Sequence, residues 1–182
     1  MDGEKKRLSG AAALLILLAI ASFATAAITI TNITEWKVIA KHPPIVKVAG
    51  TDAATNYVNV IWYTSTDGTN RTVISIIGFR GDITKYTDPL KICNKDTVNS
   101  YSVSLAYGEV VYGGWTYVKY LKFWLDNNGP LTVDVNGASG SANATIGPGN
   151  CVSVPVEVLV TWDAPTDIVL INVTINVVAT KL

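Results

Sequence analysis

The sequence predicts an all-β protein, a jelly-roll-like β-sandwich of about ten strands, and three observations predict it. Apolar and polar residues alternate with a period of two through most of the chain after residue 27. Clusters of Gly, Pro, Asn and Asp interrupt that alternation every eight to twelve residues or so, the spacing of a sandwich or barrel. Only 15% of the residues are charged, while Thr, Val, Ile, Asn and Tyr, most of them good strand formers, are abundant.

The first element precedes the β-region. Lys5, Lys6 and Arg7 stand before a small and apolar run, Gly10 to Phe23, and Ala24-Thr25-Ala26-Ala27 follows it. Positive start, apolar middle and small-residue end predict a signal peptide over residues 1–27, cleaved on export. The run is short for a bilayer crossing, which takes roughly twenty residues. Two alternatives keep it: an uncleaved N-terminal anchor, or a type IV pilin cut near Ser9-Gly10 with its N-terminal helix retained. The pilin alternative lacks the basic-Gly pair at the cut and gives way at once to β-alternation.

Removing 27 of the 182 residues leaves 155, enough for one domain with a core. Eleven basic and twelve acidic residues remain, a net charge of −1. Near-neutrality excludes nucleic acid as an expected partner, and a surface of Thr, Asn and Tyr suits lateral packing or a sugar coat.

Ile28 to Ile39 is a Thr-rich strand that begins where the signal ends. Ile28 and Ile30 share one face, and Ile33 falls on the other with Thr29 and Thr31, which predicts a bulge near Asn32. Trp36 and Val38 follow. Pro43-Pro44 cannot continue a ladder, so residues 28–40 read as a separable arm and 41–182 as the sandwich domain.

Within that domain the expected strands are Ile45–Val48, Tyr57–Thr64, Arg71–Phe79, Leu90–Cys93, Asn99–Tyr107 and Glu109–Tyr112, then Trp115–Leu125, Leu131–Asn136, Asn143–Ile146, Cys151–Trp162 and Asp167–Val178. Turn clusters separate them, among them Ala49-Gly-Thr-Asp, Thr66-Asp-Gly-Thr-Asn, Asp126-Asn-Asn-Gly-Pro and Gly137 to Ser141. Alternation puts Tyr101, Val103, Leu105 and Tyr107 on one face, and Val152, Val154, Val156, Val158 and Val160 on another. Ile171, Val173, Ile175 and Val177 face in, opposite Asn172, Thr174 and Asn176. Trp115–Leu125 carries aromatics on both faces, as a core strand with a bulge or as a strand whose outer face meets a neighbouring subunit.

Two cysteines in an exported chain, Cys93 and Cys151, predict one disulfide; a catalytic thiol would need a base, and His42 is the only histidine. Asn32, Asn70, Asn143 and Asn172 begin Asn-x-Ser/Thr sequons and are candidate glycosylation sites.

Chemistry is otherwise sparse. A single His cannot build a His-based metal site or, without a Gly-x-Ser-x-Gly elbow, a recognisable serine triad. Asp126-Asn127-Asn128-Gly129 lacks the later carboxylate of a calcium loop and reads as a tight turn. No enzyme, cofactor, metal or small-molecule substrate is expected.

An arm that enters the groove of the next subunit is donor-strand complementation, and head-to-tail use of the contact does not close, so it yields a filament. The same arm can instead pair within its own sheet. The segment Leu90 to Leu105, a strand, an Asn-containing turn and an alternating strand, resembles the TasA/camelysin family of secreted fibre proteins, in particular archaeal bundling pilins. Gly147-Pro-Gly-Asn followed by the valine strand to Val158 is similar to that family's Pro-Gly turn. The paired cysteines depart from its bacterial members, and no ligand set matches the metalloprotease activity suggested for camelysins. The resemblance implies extracellular filaments of identical subunits for adhesion or biofilm, linked by donor strands from Ile28 through Ile39 (Ile28, Ile30, Ile33, Trp36 and Val38), with lateral bundling of filaments as a further expectation. The alternative from another class is a secreted or surface-anchored carbohydrate-binding β-sandwich using Trp62, Tyr63, Trp115 and Trp162; Trp115, Tyr117 and Trp124 are candidates for bundle contacts.

Overall fold

A computed structural model describes residues 37–64 and 70–182; the expected signal segment 1–27, Ile28, Ile30, Asn32, Ile33 and Trp36 lie outside the described residues. Residues 37–41 belong to a unit separate from His42–Leu182. They form no regular structure and are exposed, with Val38 at 95%.

The larger unit is all-β. Its strands are β1 (Ile45–Ala49), β2 (Val58–Thr64), β3 (Asn70–Ile76), β4 (Ile83–Tyr86), β5 (Leu90–Asn94), β6 (Tyr101–Gly113) and β7 (Val118–Leu125). The series continues with β8 (Asn128–Asp134), β9 (Gly137–Gly140), β10 (Ala142–Ile146), β11 (Cys151–Ser153), β12 (Val156–Val160) and β13 (Ile171–Lys181). They pair antiparallel in four sheets ordered β1-β5-β11, β10-β6-β13, β4-β12-β7-β8-β9 and β2-β3. One 3-10 turn, Thr51–Ala54, occupies the predicted turn after β1. Among the described residues no helix is long and apolar enough to cross a membrane.

The core sits between inward faces that alternation assigns. Ile92, Val103, Leu125, Val133 and Ile146, from five different strands, are at most 1% exposed and belong to one cluster. Burying each contributes about 1.5–3 kcal/mol relative to exposure. A second cluster gathers Val118, Leu121, Val158, Val160 and Ala164, and Trp115 packs against both. Facing sheets around shared clusters are consistent with a β-sandwich.

Several boundaries differ from expectation, each for a local reason. The single strand expected over Cys151–Trp162 is two. β11 pairs with β5, and β12 pairs with β4 and β7. Pro155 lies at the break, where it has no N–H to give a ladder and its carbonyl accepts the Trp124 N–H at 3.0 Å. The five valines nevertheless keep one inward row, each at most 8% exposed. The two strands expected over Asn99–Tyr107 and Glu109–Tyr112 are one, β6. At Gly108 the β6-β13 ladder shifts register between Val173 and Ile175, and an added Cβ would come within 3.3 Å of Thr174, so a glycine here leaves room for the close approach of β13 at that bulge. β9, expected as a turn, has no strong strand former. The ladder from Leu131↔Gly140 to Asp134↔Gly137 imposes its extension. β4, missed for its brevity, is held at the sheet edge by β12.

Candidate functional site

The C-terminal strand presents a long edge with no partner among the described residues. β13 pairs with β6 from Ile171↔Gly113 to Lys181↔Tyr101, and among the described residues no strand pairs with its other edge. Its inward row, Ile171, Val173, Ile175 and Val177, is only half-buried, and no residue of β13 is fully buried. An eleven-residue edge with an apolar row invites strand addition. Charged residues, a common protection of edges, are absent from it until Lys181.

The β2-β3 ribbon is the second exposed apolar element. Val58 is buried and Val60, Ile74 and Ile76 pack on the core clusters, whereas Ile61, Trp62 and Tyr63 near the hairpin end are each about half exposed.

A polar cleft opens on the outer side of the five-stranded sheet. About 460 Å³ in volume, it is walled by Trp124 and Lys85, with Asp126 and Asn127 of the β7-β8 turn at its rim. Alternation aims Leu125 into the core and Trp124 out. The Lys85 ammonium stands 5.0 Å from the indole centroid, a contact worth about 0.5–1 kcal/mol at an exposed site. The turn is fixed from both sides: the Asp126 N–H donates to the Ser153 carbonyl at 2.9 Å, and the Ser153 N–H donates to Asp126 Oδ1 at 2.7 Å. Asp126 holds a left-handed φ of 50°, a conformation that Asp and Asn adopt more readily than other non-glycine residues. The predicted tight turn is therefore present, but its side chains are arranged around a cleft.

Behind the cleft, Ser153 Oγ donates to Asp88 Oδ1 at 2.8 Å. Asp88 Oδ2 accepts from the Thr51 N–H, the Thr51 hydroxyl and the Lys91 ammonium. Burial alone would raise the Asp88 pKa, but these hydrogen bonds outweigh it and hold the carboxyl below its usual range. On the same outer face Glu157 Oε1 accepts from Tyr120 Oη at 3.0 Å and Lys122 Nζ at 3.1 Å. Burial first, and then the Glu157 carboxylate, push the Tyr120 pKa up.

Cys93 and Cys151 form a disulfide between β5 and β11. The following turn is built around Asn94, which is fully buried. Its amide hydrogens go to the carbonyls of Asn99, Ile146 and Gly147, and its Oδ1 accepts the Asp96 N–H. Asp96 in turn accepts from the Asn99 side chain, the N–H groups of Val98 and Asn99, and Tyr101 Oη. These bonds, the Asn99 side chain foremost, hold its carboxyl far below the usual range. Sequence reasoning read this segment only as a turn; the Asn-x-Asp-x-x-Asn-x-Tyr spacing was the signal available.

The remaining predicted residues are dispersed. Asn143 and Asn172 are exposed on the outer face of the β10-β6-β13 sheet, and Asn70 opens β3. Trp62 and Tyr63, as neighbours in a strand, face opposite ways. Trp115 is largely taken up by the core and lines a separate cleft of about 380 Å³, Tyr117 packs on the second cluster, and Trp162 is 80% exposed in the loop before β13. Trp124, expected as a bundle contact and not among the aromatics expected to bind sugar, is the one placed beside Lys85, Asp126 and Asn127. His42 is exposed, and among the described residues no three His, Cys, Asp or Glu side chains stand together as metal ligands. No protein-family model matches the chain, and no curated protein matches it.

Proposed function

We propose that the protein is the structural subunit of an extracellular filament, a pilus or biofilm matrix fibre, in which the arm 28–39 of one subunit is added to the sheet of the next. In this reading the signal peptide 1–27 directs secretion, the sandwich is a jelly roll, and the partners are identical subunits joined head to tail. One observation carries it: the long edge of β13 lies beside a half-buried apolar row, in a chain that also holds a twelve-residue β-forming arm.

The dimensions agree. At about 3.4 Å per residue, an eleven-residue edge and a twelve-residue arm are both close to 40 Å long. Covering four or five apolar side chains contributes roughly 6–12 kcal/mol before association costs, sufficient for a durable subunit contact. The uncharged outer face of β13, with Asn172, Thr174 and Asn176, is then available for lateral bundling or glycan display.

The test is negative-stain microscopy of the protein purified from the cell exterior, with N-terminal sequencing of the same sample. Filaments beginning at Ala27 or Ile28, lost when residues 28–39 are deleted, support the proposal. Dispersed particles with the same N-terminus overturn it, and filaments starting near Ala11 replace it with a type IV pilin.

A further inference from the structure

We infer that the Lys85–Trp124–Asp126–Asn127 cleft binds a neutral saccharide unit, a function independent of whether the chain polymerises. The volume of about 460 Å³ lies within the range of small-molecule sites and is large enough for a hexose or disaccharide. The composition then selects among ligands. Sugars present C–H faces and hydroxyls together, and a site for them needs an apolar ring beside groups that both donate and accept.

Trp124 supplies the ring. It is only part-buried, because the β7 alternation that turns Phe123 and Leu125 inward turns it outward; the ammonium of the exposed Lys85 stands over one face, and a sugar stacking on that face displaces it. The hydroxyl-binding groups are Asp126 and Asn127. Oδ1 of Asp126 is committed to the Ser153 N–H, which leaves Oδ2 without a partner among the described residues and fixed in direction. Asn127, next in the turn, offers an amide with both an acceptor and donors. Thr87 adds a hydroxyl at the wall. The Ser153 hydroxyl is not available, since Asp88 holds it.

The paired charges disfavour ligands of a single net sign. Lys85 and Asp126 stand at one cleft with opposite signs, so neither an anion nor a cation is favoured by the field. A ligand with many hydroxyls and no net charge uses both groups as donor and acceptor.

Isothermal titration of the full secreted chain with cellobiose, mannobiose, chitobiose and digalacturonate tests this. The expected result is saturable binding of at least one neutral disaccharide, insensitive to salt between 50 and 500 mM, with digalacturonate weaker. Trp124→Ala should weaken it at least tenfold. Asp126→Asn keeps the acceptor for the Ser153 N–H and suits the left-handed φ, so it should keep the melting temperature and still weaken binding severalfold. Trp162→Ala should leave binding unchanged. No saturation by any neutral disaccharide below 10 mM, preferential binding of digalacturonate, or affinity untouched by both cleft variants would each overturn the inference.

Discussion

Cys93 and Cys151 stand directly opposite one another in the β5-β11 ladder, their Cα atoms 4.0 Å apart. β11 is only three residues long, so its ladder alone is a weak tether. The disulfide closes a loop of 58 residues across the centre of the chain, a restriction of the unfolded state worth about 4 kcal/mol on a chain-entropy argument. Replacing both cysteines with Ala is expected to lower the unfolding free energy by about 2–4 kcal/mol in a urea titration, with a lower midpoint and a steeper slope, because the unbridged unfolded chain exposes more surface. A loss below 0.5 kcal/mol would show that β11 is held by the packing of Val152 and by the Ser153–Asp126 hydrogen bonds without need of the disulfide.

Leu125 and Trp124 are adjacent but do opposite work. Leu125 is fully buried in the main cluster, so Leu125→Ala should cost about 2–5 kcal/mol, the usual transfer and cavity penalties combined. Trp124→Ala, on the outer face, should cost far less. Equal losses in paired denaturation curves would mean that the outer face of β7 is packed as tightly as the inner one.

The period-two pattern made most of the inward faces legible in advance, because burial selects apolar side chains wherever a strand has one covered side. It failed where tertiary pairing, not side-chain pattern, creates a strand. The Gly137–Gly140 segment is extended only because β8 lies beside it, and the valine run changes sheets at Pro155 without breaking its apolar row. The disulfide was legible from two cysteines in a chain whose first residues read as an export signal. The cleft was not, since its members come from β4, β7, the β7-β8 turn and the β11-β12 link, and no sequence spacing joins Lys85 to Trp124.

Acid should weaken the fold in part through the β5-β6 turn. The Asp96 carboxyl is held far below its ordinary value of about 4 by the bonds from Asn99, Val98 and Tyr101. A depressed folded-state pKa stabilises the fold fully above the unfolded value and loses that stabilisation as pH falls through it toward the folded value. Thermal melts should therefore drop between pH 5 and pH 2, and Asp96→Asn should show a shallower drop, starting from lower stability at pH 7. Parallel pH profiles for the two proteins would assign the acid sensitivity to Asp88 and other carboxylates instead.

On the proposed donor-strand assembly, a free peptide spanning Ile28–Ile39 should cap the filament. Its twelve residues match the eleven of β13 in length, and its apolar positions would cover the half-buried row Ile171, Val173, Ile175 and Val177. A ligand that binds the folded subunit also stabilises it, by about 2.7 kcal/mol at a hundredfold excess over Kd. Adding the peptide to assembling subunits is expected to shorten the filaments in proportion to its concentration and to raise the melting temperature of the subunits it caps. A peptide with Asp at the positions of Ile28, Ile30 and Ile33 should do neither, since it offers the same backbone hydrogen bonds but places charges where the row needs apolar surface. If both peptides shorten filaments equally, side-chain insertion does not drive the contact. If neither does, the β13 edge is not the acceptor, and the exposed β2-β3 ribbon becomes the surface to test for the arm.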